Sequence, residues 1–187
     1  MLDRIGQPYV IGNTPESIMS ASALILPGVG AAGVGMEYLK RSGLDAAIKR
    51  AIASGTPFLG ICLGMQLLFD TSEENGTDCM GILKGSVKKF RIERKVPQIG
   101  WNDVIPNREN PNAVKLFTGI PDGSAFYYVN SFYPDPSDST ITAATSVYGE
   151  TFAAVVATDS IVATQFHPEK SGEVGLKFIK NFMKEYV

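Results

Sequence analysis

Thiol and imidazole are scarce in this sequence: its 187 residues include two cysteines, Cys62 and Cys79, and one histidine, His167. Two cysteines are too few for a disulfide scaffold and show no paired spacing of the zinc-binding kind, so neither a stapled fold nor a metal centre is expected. An excess of one charge is also missing. Seventeen Lys and Arg against nineteen Asp and Glu leave a formal charge of −2, which provides no electrostatic footprint for a nucleic acid or an anionic membrane. No apolar run approaches the roughly 20 residues of a membrane span, and the stretch from Met1 to Gly12 lacks the basic start, apolar run and cleavage site of a secretory leader. These absences predict a cytoplasmic protein. No repeat, low-complexity tract or linker divides the chain, so a single domain over residues 1–187 is expected.

What is present is an alternation of buried-strand and helix patterns. Apolar runs at Ser22 to Leu26 and Thr56 to Cys62 stop at Pro27-Gly28 and Leu63-Gly64, as parallel strands do. Between them Leu44, Ala47, Ile48, Ala51 and Ile52 mark one face of a helix that ends at Gly55. Further on, short strand-like runs at 87–90, 125–130, 141–147, 152–158 and 161–166 are separated by Pro, Gly, Asp and Asn, which suggests hairpins. The loop Asn107 to Asn112 reads as the most flexible excursion, and Glu173 to Tyr186 as a closing amphipathic helix. The fold class is α/β with a mixed sheet.

Chemistry concentrates at Gly60-Ile61-Cys62-Leu63-Gly64, a Gly-x-Cys-x-Gly run placed after a strand and before a helix-like segment. This is the thiol counterpart of a nucleophile elbow: the sharp turn strains its central residue and crowds positions two before and two after, which glycine relieves. The same turn would put the thiol at a helix N-terminus, where the dipole and free N–H groups favour thiolate. Buried cysteines are common, however, and the pentapeptide alone fits either packing or catalysis.

His167 stands where the strand Ile161 to Phe166 gives out, at the kind of strand end where α/β sites collect. Glu169 follows two residues later, close enough to orient an imidazole and stabilise its charged form. A lone histidine is more often a surface or core residue; its neighbouring carboxylate shifts the balance toward catalysis. Pro27-Gly28-Val29-Gly30 could present N–H groups to a developing oxyanion together with the N–H of Leu63. Cys79 receives no role.

Read together, Leu26-Pro-Gly-Val-Gly30, Gly60-Ile-Cys-Leu-Gly-Met-Gln66 and Gln165-Phe-His-Pro-Glu-Lys-Ser171 resemble the signature blocks of class I glutamine amidotransferases, with 167 − 62 = 105 residues between nucleophile and base. Within that class, Gln98-Ile-Gly-Trp-Asn102 and Tyr127-Tyr-Val-Asn-Ser131 resemble the glutaminase subunits of imidazole glycerol phosphate synthase, from about Pro8 to the C-terminus. The resemblance implies a flavodoxin-like, mostly parallel mixed sheet flanked by helices, and hydrolysis of L-glutamine to glutamate and ammonia through Cys62, His167 and Glu169. It implies no cofactor and no metal. Glutamine and its oxyanion would be held by Gly28, Val29, Gly30, Leu63, Gln66, Glu74, Ser131 and Phe132. The implied partner is a separate cyclase, a β/α barrel that receives the ammonia and forms imidazole glycerol phosphate and AICAR; the resemblance places Trp101, Tyr127 and Lys170 at that heterodimer interface.

Two departures accompany the resemblance. Asn130 stands where many relatives carry a histidine near the interface; an amide hydrogen-bonds but cannot titrate. The family's opening strand and most of its first helix also have no counterpart, about 20 residues by ordinary element lengths, for which a misassigned start codon is the expected reason. In a flavodoxin-like order this loss would open the middle of the sheet. Alternative readings are a glutaminase for anthranilate or aminodeoxychorismate synthesis, a γ-glutamyl hydrolase, and an inactive truncated binding subunit. The Ile99-Gly-Trp-Asn102 run, the missing leader and the intact triad argue against them in turn.

Overall fold

The breaker-bounded apolar runs form the parallel strands of the largest sheet in a computed structural model that describes residues 1–187. Strand β1 (Leu24–Gly28) runs parallel to β2 (Phe58–Cys62), with Gly28 opposite Cys62, and β12 (Ile161–Thr164) lies parallel along the other side of β2. Every residue of β2 is buried, as in a strand covered on both faces. Beyond β12 the sheet continues through β11 (Glu150–Ala157), β10 (Thr142–Tyr148) and β7 (Ile105–Pro106), each antiparallel to its neighbour.

The sheet is therefore mixed, as expected, but not mostly parallel: three of its five pairings are antiparallel. The reason lies in the connections. Only Gly149, at φ 77°, separates β10 from β11, and only Thr158 to Ser160 separate β11 from β12. Links this short make hairpins, whereas a parallel pair needs a long crossover. Two smaller sheets flank the site: β4 (Thr77–Asp78), β3 (Thr71–Ser72), β5 (Gly85–Lys89) and β9 (Phe132–Pro136) form one, and β6 (Gln98–Asp103) with β8 (Ala125–Asn130) forms the other.

Alternate residues of β2 feed two cores, because successive side chains point to opposite faces. Leu59 and Ile61 join Phe126, Phe166, Phe178 and Phe182 on one side, while Phe58 joins Leu24, Met36, Ile48 and Phe69 on the other. The first core is closed by α6 (Gly172–Tyr186), the second by α2 (Ala32–Ser42) and α3 (Leu44–Ala53). The five apolar residues that mark the face of α3 in the sequence are all buried. Gly43, at φ 70°, ends α2 and starts α3. Residues expected to form a flexible loop instead lead into a short helix, α5 (Pro111–Leu116), whose Asn112 and Ala113 N–H groups are capped by the Asn110 side chain. A further short helix, α1 (Pro15–Met19), precedes β1.

The opening expected in the middle of the sheet is not there. Consecutive strands in the order are all hydrogen-bonded, and β1 has a neighbour only on its β2 side. Beside it runs a groove of about 960 Å³, lined by Leu24, Leu26, Ile61 and Leu63 among others. Tyr9, Val10 and Ile11 stay outside any strand and are exposed, since no strand edge pairs with them.

Candidate active site

The site begins where β2 runs out of room. Cys62 has φ 54° and ψ −107°, a left-handed conformation that an L-residue holds only when its surroundings impose it. Those surroundings are its glycines. A Cβ at Gly60 would stand 2.8 Å from the Gly64 carbonyl oxygen, and one at Gly64 would overlap the Leu26 carbonyl of β1. The turn can therefore press against both strands only without side chains at these positions. After Cys62 comes α4 (Leu63–Gln66), a single turn. The helix dipole expected from the sequence is correspondingly slight, and the local N–H groups of the turn remain the nearby donors.

This geometry makes Gly64→Ala severe. Since backbone rather than a flexible side chain blocks the new methyl, the variant should lose about 1–3 kcal/mol or more in urea unfolding, together with any activity that depends on the elbow. Gly33→Ala, in α2, where the added Cβ would meet only Thr77 Oγ1 at an ordinary 3.4 Å, should be neutral or slightly stabilising. Equal stability for the two variants would refute the steric account of the elbow.

His167 follows β12 and is 1% exposed. Its Nδ1 lies 2.7 Å from Glu169 Oε1, and its backbone N–H donates to the Tyr127 carbonyl at 2.9 Å. Nε2 is buried without a hydrogen-bond partner, on a ring whose ionisation responds to Cys62. Burial by itself lowers the His167 pKa, but the Cys62 sulfur and the Glu169 carboxylate outweigh it and hold the ring up at about 9. Burial raises the Glu169 pKa, yet the bond from His167 and the charge of Lys170 leave it below the ordinary carboxylate range.

The glycine loop meets the elbow directly. A Cβ on Gly28 would lie 2.9 Å from Leu63 Cβ, so the two segments expected to flank an oxyanion are in contact. Gly30, at φ 105°, turns the chain toward α2, and Val29 is exposed. Glu74 Oε2 accepts the Ala32 N–H at 2.6 Å, which anchors this loop to the far wall. Gln66 spends both amide hydrogens internally, on the Phe132 carbonyl at 3.2 Å and on Gln165 Oε1 at 3.0 Å. Its Oε1 is left for a ligand. The Ser131 carbonyl accepts from the Phe90 N–H, and that of Phe132 also accepts Asn130 Nδ2 at 3.0 Å. The Ser131 and Phe132 carbonyls, on two of the residues expected to hold glutamine, thus each already accept a hydrogen bond from the protein.

Trp101, Tyr127 and Lys170 form one cluster at the surface. The two rings meet edge to face at 5.8 Å, and Lys170 Nζ stands 6.0 Å from the Tyr127 ring centre. On β6 and β8 these rings share a face with Ile99 and Val129, their neighbours two residues along, which makes an exposed apolar stripe. Ser171, quoted in the sequence only as part of a block, accepts the Tyr127 N–H at 3.0 Å and donates to the His167 carbonyl at 2.6 Å. It therefore ties the stripe to the backbone of His167. Gln165, the first residue of the same block, is fully buried with its Nε2 3.5 Å from Cys62 Sγ. Cys79 lies apart; burial pushes its thiol up to about 11. No three His, Cys, Asp or Glu side chains gather in a way that could hold a metal ion, and no helix is long and apolar enough to cross a membrane.

A family model described as glutamine amidotransferase class-I matches residues 10–186. The chain is 49% identical over 181 residues to imidazole glycerol phosphate synthase subunit HisH of Dehalococcoides mccartyi strain 195, covering 96% of this chain and 86% of the relative. It is 43% identical over 184 residues to the protein of the same name from Herpetosiphon aurantiacus, covering 98% and 85%. A solved structure described as a glutamine amidotransferase superposes with a TM-score of 0.74 at 18% identity, over 97% of this chain and 90% of that one, a likeness of fold.

Proposed function

We infer the function from one premise: this chain belongs to the class I glutamine amidotransferase family and, within it, to the HisH subunits of imidazole glycerol phosphate synthase. It is a glutamine-hydrolysing enzyme of histidine biosynthesis. Residues 1–187 act as one amidotransferase domain in the cytoplasm, paired with a cyclase of β/α-barrel fold that consumes the ammonia.

The observation that carries the chemistry is the thiol of Cys62, on a strained backbone turn, beside a buried imidazole whose other nitrogen is held by a carboxylate at 2.7 Å. Cys62 sulfur attacks the side-chain amide carbon of glutamine, forming a C–S bond while the carbonyl electrons move onto oxygen. N–H groups of Leu63 and of the Gly28 to Gly30 loop receive that oxyanion. His167 Nε2 gives its proton to the leaving nitrogen, the C–N bond breaks, and ammonia departs from a thioester. Water then attacks the thioester with His167 as base, releasing glutamate and the thiolate. Glu169 holds the ring and its charge throughout. The open oxygen of Gln66 and the Glu74 carboxylate suit the α-ammonium and amide hydrogens of glutamine.

Ammonia travels to the cyclase on the side of Trp101, Tyr127 and Lys170. A sealed path keeps it unprotonated and nucleophilic. Because hydrolysis without an acceptor wastes glutamine, glutamate release should be weak for the isolated chain and rise when the cyclase and its nucleotide ligand are added. A coupled glutamate assay on the two purified subunits tests this. Full activity in the isolated chain would remove the partner-gated part of the proposal, and inactivity of the complex would remove the whole.

A further inference from the structure

The buried amide of Gln165 has a fixed direction. Gln66 Nε2 donates to the Phe132 carbonyl at 3.2 Å and to Gln165 Oε1 at 3.0 Å. A backbone carbonyl can only accept, so the Phe132 oxygen fixes which end of the Gln66 amide carries hydrogen. Gln66 then presents its second hydrogen to Gln165 Oε1, which turns the Gln165 NH₂ group toward Cys62 Sγ at 3.5 Å. The sulfur's own acceptor is poor: the Val129 carbonyl lies 3.9 Å away. Besides the His167 ring, which faces the same sulfur and titrates with it, a protonated thiol has only this distant carbonyl to donate to, whereas an ionised sulfur has the buried Gln165 N–H to accept.

We propose that Gln165 is a further catalytic residue of the glutaminase site, an N–H donor that holds the Cys62 sulfur and favours its ionised form, oriented through Gln66 by the Phe132 carbonyl. The bond is made largely out of solvent, since Gln165 is fully buried and Gln66 and Cys62 are nearly so. Hydrogen bonds to charged groups are stronger there than neutral ones, and losing one leaves the charge less well solvated. Phe132 belongs to the wall proposed to face glutamine, so the same chain of amides links that wall to the nucleophile. The inference deepens the amidotransferase reading and rests on it for the role of Cys62.

Its test is the pH dependence of alkylation by iodoacetamide in a Cys79→Ala background, where Cys62 is the sole thiol. Gln165→Leu keeps the approximate volume and removes the donor. Its half-maximal pH should move up by about one unit, so that the alkylation rate near neutrality falls about tenfold, the scale of one charge-assisted hydrogen bond. Gln165→Glu, which points an acceptor at the sulfur, should move it further. Gln66→Met leaves residue 165 native but frees its amide, and should shift the profile the same way by less; this variant stands in if the substitutions at 165 do not fold. Unchanged profiles in variants that melt like the parent would overturn the proposal. Alkylation needs neither glutamine nor a partner. A shifted profile in a protein that releases no glutamate would therefore defeat the functional reading while sparing this inference, and normal glutamate release with unshifted profiles would do the reverse.

Discussion

Cys62→Ala should abolish glutamine-dependent turnover in the complex with the cyclase, while ammonium salts at high pH should still drive the cyclase reaction. The expected loss is on the order of 10⁶-fold, the scale seen when the nucleophile of a triad is removed. Water cannot take its place, because the sulfur supplies both the attacking electron pair and the covalent intermediate that divides one difficult step into two. Cys62→Ser should fare little better: a hydroxyl at the same turn is far less ionised than a thiol, and His167 is then asked to deprotonate a much weaker acid. The ammonia arm separates chemistry from assembly. Glutamate assays that retain more than a small fraction of activity would take Cys62 out of its role, and a cyclase left idle with ammonium would mean that this chain does more than provide nitrogen.

The elbow was legible because its requirements are steric and local. Gly60 and Gly64 sit where a Cβ would strike the Gly64 and Leu26 carbonyls, and that need is written into five consecutive residues. β2 and α3 were legible for a related reason: breakers bound one, and the burial of Leu44, Ala47, Ile48, Ala51 and Ile52 follows helical spacing in the other. Helix α2 was not. Gly33 and Gly35 lower its intrinsic propensity, and it is kept by tertiary packing, with a Cβ at Gly35 only 3.2 Å from Leu67 Cδ1. Strand β6 is rich in polar residues and glycine, and becomes a strand by pairing with β8. The start of α5 did carry a readable signal, an Asn110 cap followed by Pro111, which the surrounding polar residues masked.

The site divides the same way. Cys62, His167 and Glu169 announce themselves by residue type and spacing, whereas Gln165 acts through a fold-dependent approach of residues 103 positions apart. Nothing in its sequence neighbourhood distinguishes a glutamine that meets a sulfur from one that merely packs. Glu74 enters the sequence reading through the family resemblance alone, and its contact is equally fold-dependent. Its bond to the Ala32 N–H spans 42 positions and joins two loops whose proximity only the folded chain creates.

His167→Ala should lower glutaminase activity by about 10²–10⁴-fold, the usual worth of a positioned general acid and base, and Glu169→Gln by less, since it removes the ring's orienting charge but leaves the ring. Because the chain has a single histidine, one imidazole signal in the NMR spectrum reports this group alone. Its titration should centre near pH 9 in the parent protein. Removing either group that holds it up, in Glu169→Gln or Cys62→Ala, should bring the midpoint down, because burial then acts with less opposition. The sign for stability follows from the same shift. A ring whose pKa is higher folded than unfolded binds its proton more tightly in the native state, so its contribution is complete below the unfolded value of about 6.5 and disappears as pH rises through about 9. The melting temperature of the parent should therefore fall over that window by more than that of Glu169→Gln, whose folded pKa lies nearer the unfolded one. A parent titration centred at or below about 6.5 would mean that the ring is neutral at rest. Cys62 would then have to lose its proton to His167 during attack rather than before it.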